Sequence, residues 1–136
     1  MKNTIYLMFI LLITSCVIKD PIKKDSQLIL KNNTIRKIVV NYYSNVYGNH
    51  SILINAQKDT TLSGLPTFMF ASDSANIYYD TTKILRCVND ASVCNISNNK
   101  RNVLCQANYA LTQSDLYNIY TYIFTDADYA AADSIK

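Results

Sequence analysis

Apolar positions along this chain follow three rhythms. Ile5 to Ile13 are apolar without a break, several later runs alternate with a period of two, and the last dozen residues turn alanine-rich. A period of two places alternate side chains on opposite faces of a strand, so the middle of the chain reads as β. From Thr34 to Tyr43 the run Ile35, Arg36, Lys37, Ile38, Val39, Val40, Asn41, Tyr42 is rich in β-branched and aromatic residues and predicts the first main strand. A turn at Val46 to His50 precedes a second strand, Ser51 to Ala56, with Ile52 and Ile54 on one face and Leu53 on the other. The two form an antiparallel hairpin in this reading.

Lys58 to Pro66 is broken by Asp59, Thr60, Ser63, Gly64 and Pro66 and reads as a connection, followed by a short apolar run, Thr67 to Phe70. Asn76–Tyr79 and Lys83–Val88 are separated only by Asp80, Thr81 and Thr82, which predicts a tight turn between paired strands. The polar stretch Asn89 to Asn102 is the largest expected loop, and Val103 to Leu111 is irregular or short-stranded. Leu116 to Thr125 is the strongest strand signal. Its two faces, Leu116, Asn118, Tyr120, Tyr122, Phe124 and Tyr117, Ile119, Thr121, Ile123, Thr125, are both apolar enough for a central position. Thr125 and Asp128 have capping-box spacing before the alanines, predicting a short helix from Asp126 to about Asp133. The expected fold is mainly β, a small antiparallel sheet or sandwich with a short C-terminal helix; an α+β arrangement is the alternative.

The apolar block at the N-terminus is too short to span a bilayer, which takes roughly 20 apolar residues. It follows Lys2 and ends in Ile13, Thr14, Ser15, Cys16, an order that resembles the lipobox of bacterial lipoproteins. That resemblance implies cleavage after Ser15 and acylation of Cys16; an ordinary secretory signal is the plainer alternative. Residues 1–15 are then the signal peptide, 16–27 a charged tether, and 28–136 a single globular domain beginning near Leu28. Two or more acyl chains anchor a protein stably without a membrane span.

Composition narrows the function by exclusion. The chain carries a formal net charge of +3, and its basic residues are dispersed among aspartates, which leaves nucleic-acid binding without support. Only Gly48 and Gly64 are glycines, too few for a phosphate-cradling loop. With one histidine and no Cys-x-x-Cys spacing, no zinc site is expected, and no cofactor is implied. Beyond Cys16 there are three cysteines, Cys87, Cys94 and Cys105, in a compartment where disulfides persist. A local bridge between Cys87 and Cys94 is the first expectation, with a link of either to Cys105, or three buried thiols, left open.

His50, the only histidine, sits beside Asn49 in a turn with no nucleophile or carboxylate at suggestive spacing, so it reads as a solvated turn residue. Asp126, Asp128 and Asp133 offer oxygen ligands to calcium, yet capping explains the first two more simply. No catalytic residue is assigned. Tyrosines remain the richest resource, and Tyr43, Tyr47, Tyr79 and Tyr117 are the candidates for an exposed aromatic binding surface.

The segment Arg101, Asn102, Val103, Leu104, with Asn108, Tyr109, then Tyr120 to Thr125, Asp128, Tyr129 and Ala132, together with the signal, resembles small uncharacterised lipoproteins common in Bacteroidetes. The resemblance implies an outer-membrane lipid anchor and a cell-envelope setting, and it carries no catalytic residue. Surface export in that group resembles a basic residue followed by paired acids after the lipidated cysteine. Here Lys19 is followed by Asp20 and Pro21, so the membrane face stays open. Triplets at Thr60, Ser74, Thr81 and Ser134 resemble the O-glycosylation acceptors of exported proteins from the same lineage, and all four fall in expected loops or the tail. The expected function is a lipid-anchored, non-catalytic binding or interaction module for an envelope protein or glycan. A structural envelope lipoprotein is the alternative, and a small hydrolase using His50 the last.

Overall fold

The computed structural model describes residues 24–63, 66–94 and 101–135. Cys16, the signal and most of the tether lie outside the described residues, as does Gly64. Nine strands are described: β1 Asp25–Asn32, β2 Ile38–Tyr43, β3 His50–Ile54, β4 Asp59–Ser63, β5 Ser74–Tyr79, β6 Lys83–Val88, β7 Ala110–Gln113, β8 Tyr117–Phe124 and β9 Asp133–Ser134. Helices are short: α1 Pro66–Phe70, α2 Ala91–Cys94 and α3 Asp126–Ala131, with a 3-10 turn at Gln106–Asn108. One sheet has the order β4-β1-β8-β7 and the other β3-β2-β5-β6-β9, giving a mainly β sandwich with a short C-terminal helix.

Both expected hairpins form. β2 pairs with β3 from Ile38 opposite Ile54 to Tyr42 opposite His50, and β5 pairs with β6 through the Asp80–Thr82 turn. Asp80 there takes a positive φ of 54°, which Asp tolerates better than most residues, and its carboxylate accepts from Lys37 N at 3.1 Å. β8 is central, between β1 and β7. At its end, Asp128 accepts hydrogen bonds from Thr125 N (2.7 Å) and Thr125 Oγ1 (2.8 Å), so the shorter Asp closes the capping box.

The expected strand Thr34–Tyr43 begins only at Ile38, the expected loop Asn89–Asn102 holds α2, and three further features depart from the sequence reading. β1 starts at Asp25, three residues inside the expected tether, and pairs with β8 in parallel from Asp25 opposite Tyr117 to Asn32 opposite Phe124. Ser63 ends a true strand, β4, where a broken connection was expected. It pairs with β1 through Leu28 opposite Leu62 and Leu30 opposite Thr60. The run before β5 is a helical turn, α1, not an extended segment. For β1 and β4, partners far away in sequence supply what local pattern lacks.

The core lies between the sheets. Leu28, Leu30, Tyr122 and Phe124 face Ile38, Val40, Tyr42, Ile54, Ala75, Ile77, Tyr79 and Cys87, with Val103, Leu104 and Tyr109 filling one side. Buried side chains of this size contribute roughly 1.5–3 kcal/mol each relative to exposure. Where the chain first crosses between sheets, Asn32 ties the corner. Its Nδ2 donates to the carbonyls of Arg36 (2.7 Å), Asn55 (3.0 Å) and Ile54 (3.3 Å), and its Oδ1 accepts from Thr34 N (3.0 Å) and Thr34 Oγ1 (2.8 Å). This defines a far end of the sandwich, with the β5–β6 turn and α3. The opposite, entry end holds the start of β1, the β2–β3 loop, α1 and the β7–β8 turn.

Candidate functional site

The helices cap the ends and edges of the sandwich, and β2 and β5 of the five-stranded sheet alternate in burial, so that sheet turns its second face outward, with Ile84 of β6 buried on that face. Register then arranges its outward side chains in rows. Ser51, Asn41, Asn76 and Arg86 stand in one row across four strands, because Asn41 is opposite both Ser51 and Asn76, and Asn76 is opposite Arg86. On one side of this row lie Tyr43, Ser74 and Val88; on the other lie Leu53, Val39, Tyr78 and Ile84. Adjacent strands are about 4.8 Å apart and two residues along a strand span about 7 Å. The polar row is therefore roughly 14 Å long, with the Tyr43 and Tyr78 rows about 7 Å to either side.

Asn is depleted in strands, since its amide competes locally for the backbone. Two asparagines side by side on central strands therefore run against local preference. Among the described residues, neither Asn41 nor Asn76 makes a side-chain hydrogen bond, so both amides are open to a ligand. Arg86 is held by Asp133 at 3.4 Å, an exposed pair that leaves the row close to neutral. Beside it a groove of about 470 Å³ is lined by Tyr78, Ile84, Arg86, Ser134 and Ile135. The outer face of the other sheet is different: its β8 side chains are Tyr117, Ile119, Thr121 and Ile123, with no amide among them and Ile123 45% exposed.

The four tyrosines expected to share a surface are not brought together. Tyr43 lies on the outer face described above. Tyr47, 51% exposed, sits in the β2–β3 loop, where its ring meets Phe68 edge-on at 5.3 Å. Tyr117 belongs to the other sheet. Tyr79 is fully buried: it shares the inward face with Ile77 and Ala75, so it is a core residue and not a surface one. Tyr78, its outward neighbour, is the ring that sequence reasoning missed, and the alternation of β5 was the available signal.

The cysteine expectation is also corrected. Cys94 bonds to Cys105, with Cα atoms 5.2 Å apart, and Cys87 is a free thiol. Cys87 is opposite Ala75 on the inward face of β6, whereas Cys94 lies beyond the sheet at the end of α2, so the two point into different surroundings. Burial pushes the Cys87 thiol up to about 11, against an opposing backbone contact at Val103. Burial likewise raises Tyr42, Tyr79, Tyr109 and Tyr122 well above the ordinary tyrosine range. Tyr109 Oη donates to Val103 O at 2.6 Å, while the hydroxyls of Tyr42, Tyr79 and Tyr122 have no hydrogen-bond partner among the described residues.

Of the glycosylation triplets, Thr81 lies in an exposed turn, as expected. Thr60 is in strand β4, half-buried opposite Leu30, Ser74 opens β5 half-buried, and Ser134 lies in β9, so three of these positions are not loops. His50 touches the Tyr47 carbonyl at 3.2 Å and the Phe68 ring at 4.3 Å. Neither of these partners is a nucleophile or a carboxylate. Asp128 is committed to the capping box and to Arg101 at 3.1 Å, and Asp133 to Arg86. Among the described residues no group of three His, Cys, Asp or Glu could hold a metal.

Comparison of the chain with protein-family models, curated proteins and solved structures finds no match.

Proposed function

We propose that this protein is a lipid-anchored, non-catalytic binding module of the cell envelope, which recognises a neutral glycan on the outer face of its five-stranded sheet. The observation that carries the reading is the row Ser51, Asn41, Asn76, Arg86 between the rows of Tyr43 and Tyr78. Amide side chains spaced by the inter-strand distance offer paired donors and acceptors to successive hydroxyls of a polyol, and flanking rings offer faces for the apolar side of a sugar. Pairing of Arg86 with Asp133 favours a neutral ligand over an anionic one. The sequence of the first sixteen residues supports the anchor, through the lipobox resemblance of Ile13 to Cys16.

Affinity electrophoresis of the full chain through gels containing neutral polysaccharides tests the reading. Retardation by at least one polysaccharide is expected. It should fall roughly tenfold in Asn76→Val and Tyr78→Ala, since lost buried hydrogen bonds and ring contacts each cost about 1–2 kcal/mol of binding. Unchanged mobility of the parent across neutral polysaccharides, or equal retardation of both variants, would sink it.

A further inference from the structure

We infer that the entry end of the sandwich, carrying Val46, Tyr47 and Leu116, rests on the bilayer as a docking surface for zwitterionic lipid. This inference rests on the lipid-anchor reading and adds an orientation to it. The three residues are 80%, 51% and 63% exposed, a high value for large apolar side chains. They share one end of the molecule for topological reasons. Asp25 N donates to Leu116 O at 3.0 Å, which sets Leu116 beside the first residue of β1. Leu28 is opposite Leu62 and Gln27 opposite Ser63, so β4 finishes at this same end and leads to α1. The Phe68 ring of α1 meets Tyr47 and His50 edge-on, which brings the β2–β3 loop to the same level. Gly48, at a φ of 81°, turns that loop back with its N–H on Ser44 O at 2.9 Å.

Chain length outside the fold argues in the same direction. From Cys16 to Asp25 there are nine residue steps, which reach about 30 Å at full extension. The eight residues of β1 cover about 26 Å, so a tether running back along the domain would be almost spent before the far end met the membrane. The entry end needs no such detour. Charge differs between the ends as well: toward the far end Lys31, Arg36, Lys37, Lys58 and Lys83 are balanced by aspartates such as Asp59 and Asp80, and its exposed aliphatics Ile35, Ile123 and Ile135 stand among these charges. At the entry end Asp25, Asp73, Asp90 and Asp115 outnumber Lys24 among the described residues, which disfavours anionic lipid and leaves apolar contact as the attraction.

The sequence contains no tryptophan, so a single introduced one reports its own depth. The native acylated protein carrying Tyr47→Trp, and a second form carrying Thr81→Trp at the far end, would be reconstituted in phosphatidylcholine and phosphatidylethanolamine vesicles with brominated acyl chains. Emission from position 47 should shift to the blue and be quenched roughly twofold or more, as for a side chain at the headgroup and acyl boundary, while position 81 stays unquenched. Adding Val46→Asp and Leu116→Asp to the first form should abolish its quenching without loss of vesicle flotation. Flotation with both positions equally unquenched would overturn the docking while leaving the anchor intact; failure of the parent protein to float would overturn both.

Discussion

Two buried polar regions of this sandwich are built on opposite principles. At the far corner, Asn32 is 1% exposed and every hydrogen-bonding atom of its amide is engaged, joining three separate carbonyls and the Thr34 turn. In the middle of the core, Tyr42, Tyr79 and Tyr122 are equally buried, yet their hydroxyls meet no partner among the described residues, and the Cys87 thiol sits among them. The first region specifies topology: it clamps the crossing from β1 to β2 against the β3–β4 turn. In the second, aromatic volume fills the interior and the polar tips oppose burial, a cost of about 1–3 kcal/mol for each unsatisfied group.

Alkali should expose this contrast most strongly. Cys87 ionises near 9.0 in an unfolded chain and about 11 in the fold. An unfolded chain therefore loses this proton first, so stability falls as pH rises from about 9 and stops falling on this account near 11. That one group removes on the order of 3 kcal/mol over this window. The four buried tyrosines act in the same direction above their ordinary range. Tyrosinate absorbance followed together with circular dichroism should show exposed tyrosines titrating smoothly and the buried set appearing in one step with loss of β structure. Smooth titration of all tyrosines with the fold retained would refute the buried assignment.

At neutral pH, Asn32→Ala should destabilise by about 3 kcal/mol, because it strands several buried groups at once. Urea denaturation would measure it; a loss under about 1 kcal/mol would mean the corner relaxes onto water. The smallest effect, and of opposite sign, is expected for Tyr42→Phe. Removing an unpartnered buried hydroxyl should leave stability unchanged or raise it by about 1 kcal/mol. A clear loss in the same denaturation would instead show that these hydroxyls are bridged.

The elements legible in the sequence were those whose signals are local. In Leu116–Thr125 two faces that are both apolar were enough to locate β8 and its central position, the Asp80–Thr82 turn joined β5 to β6, and Thr125 with Asp128 marked α3. β1 was hidden because Asp25, Ser26 and Gln27 look like tether until β8, more than ninety positions away, accepts them in parallel register. Thr60 and Thr61 read as loop residues for the same reason. In the candidate site the half-buried Tyr43 was legible as a surface ring, but Asn41 and Asn76 were not. Each is an unremarked polar residue in its own strand, and only cross-strand pairing sets them side by side. The Cys94–Cys105 bridge was one of several pairings compatible with the sequence, and the inward facing of Cys87 decides among them.

The place of β1 has a mechanical consequence. It lies inside its sheet, antiparallel to β4 on one side and parallel to β8 on the other. A pull arriving through the chain before Asp25 runs along the strand axis, while the ladder bonds lie across it. The load is shared by both ladders at once as shear, and no bond at the end can be peeled open alone. A domain pulled through the chain before Asp25 thus resists through two ladders loaded in shear together.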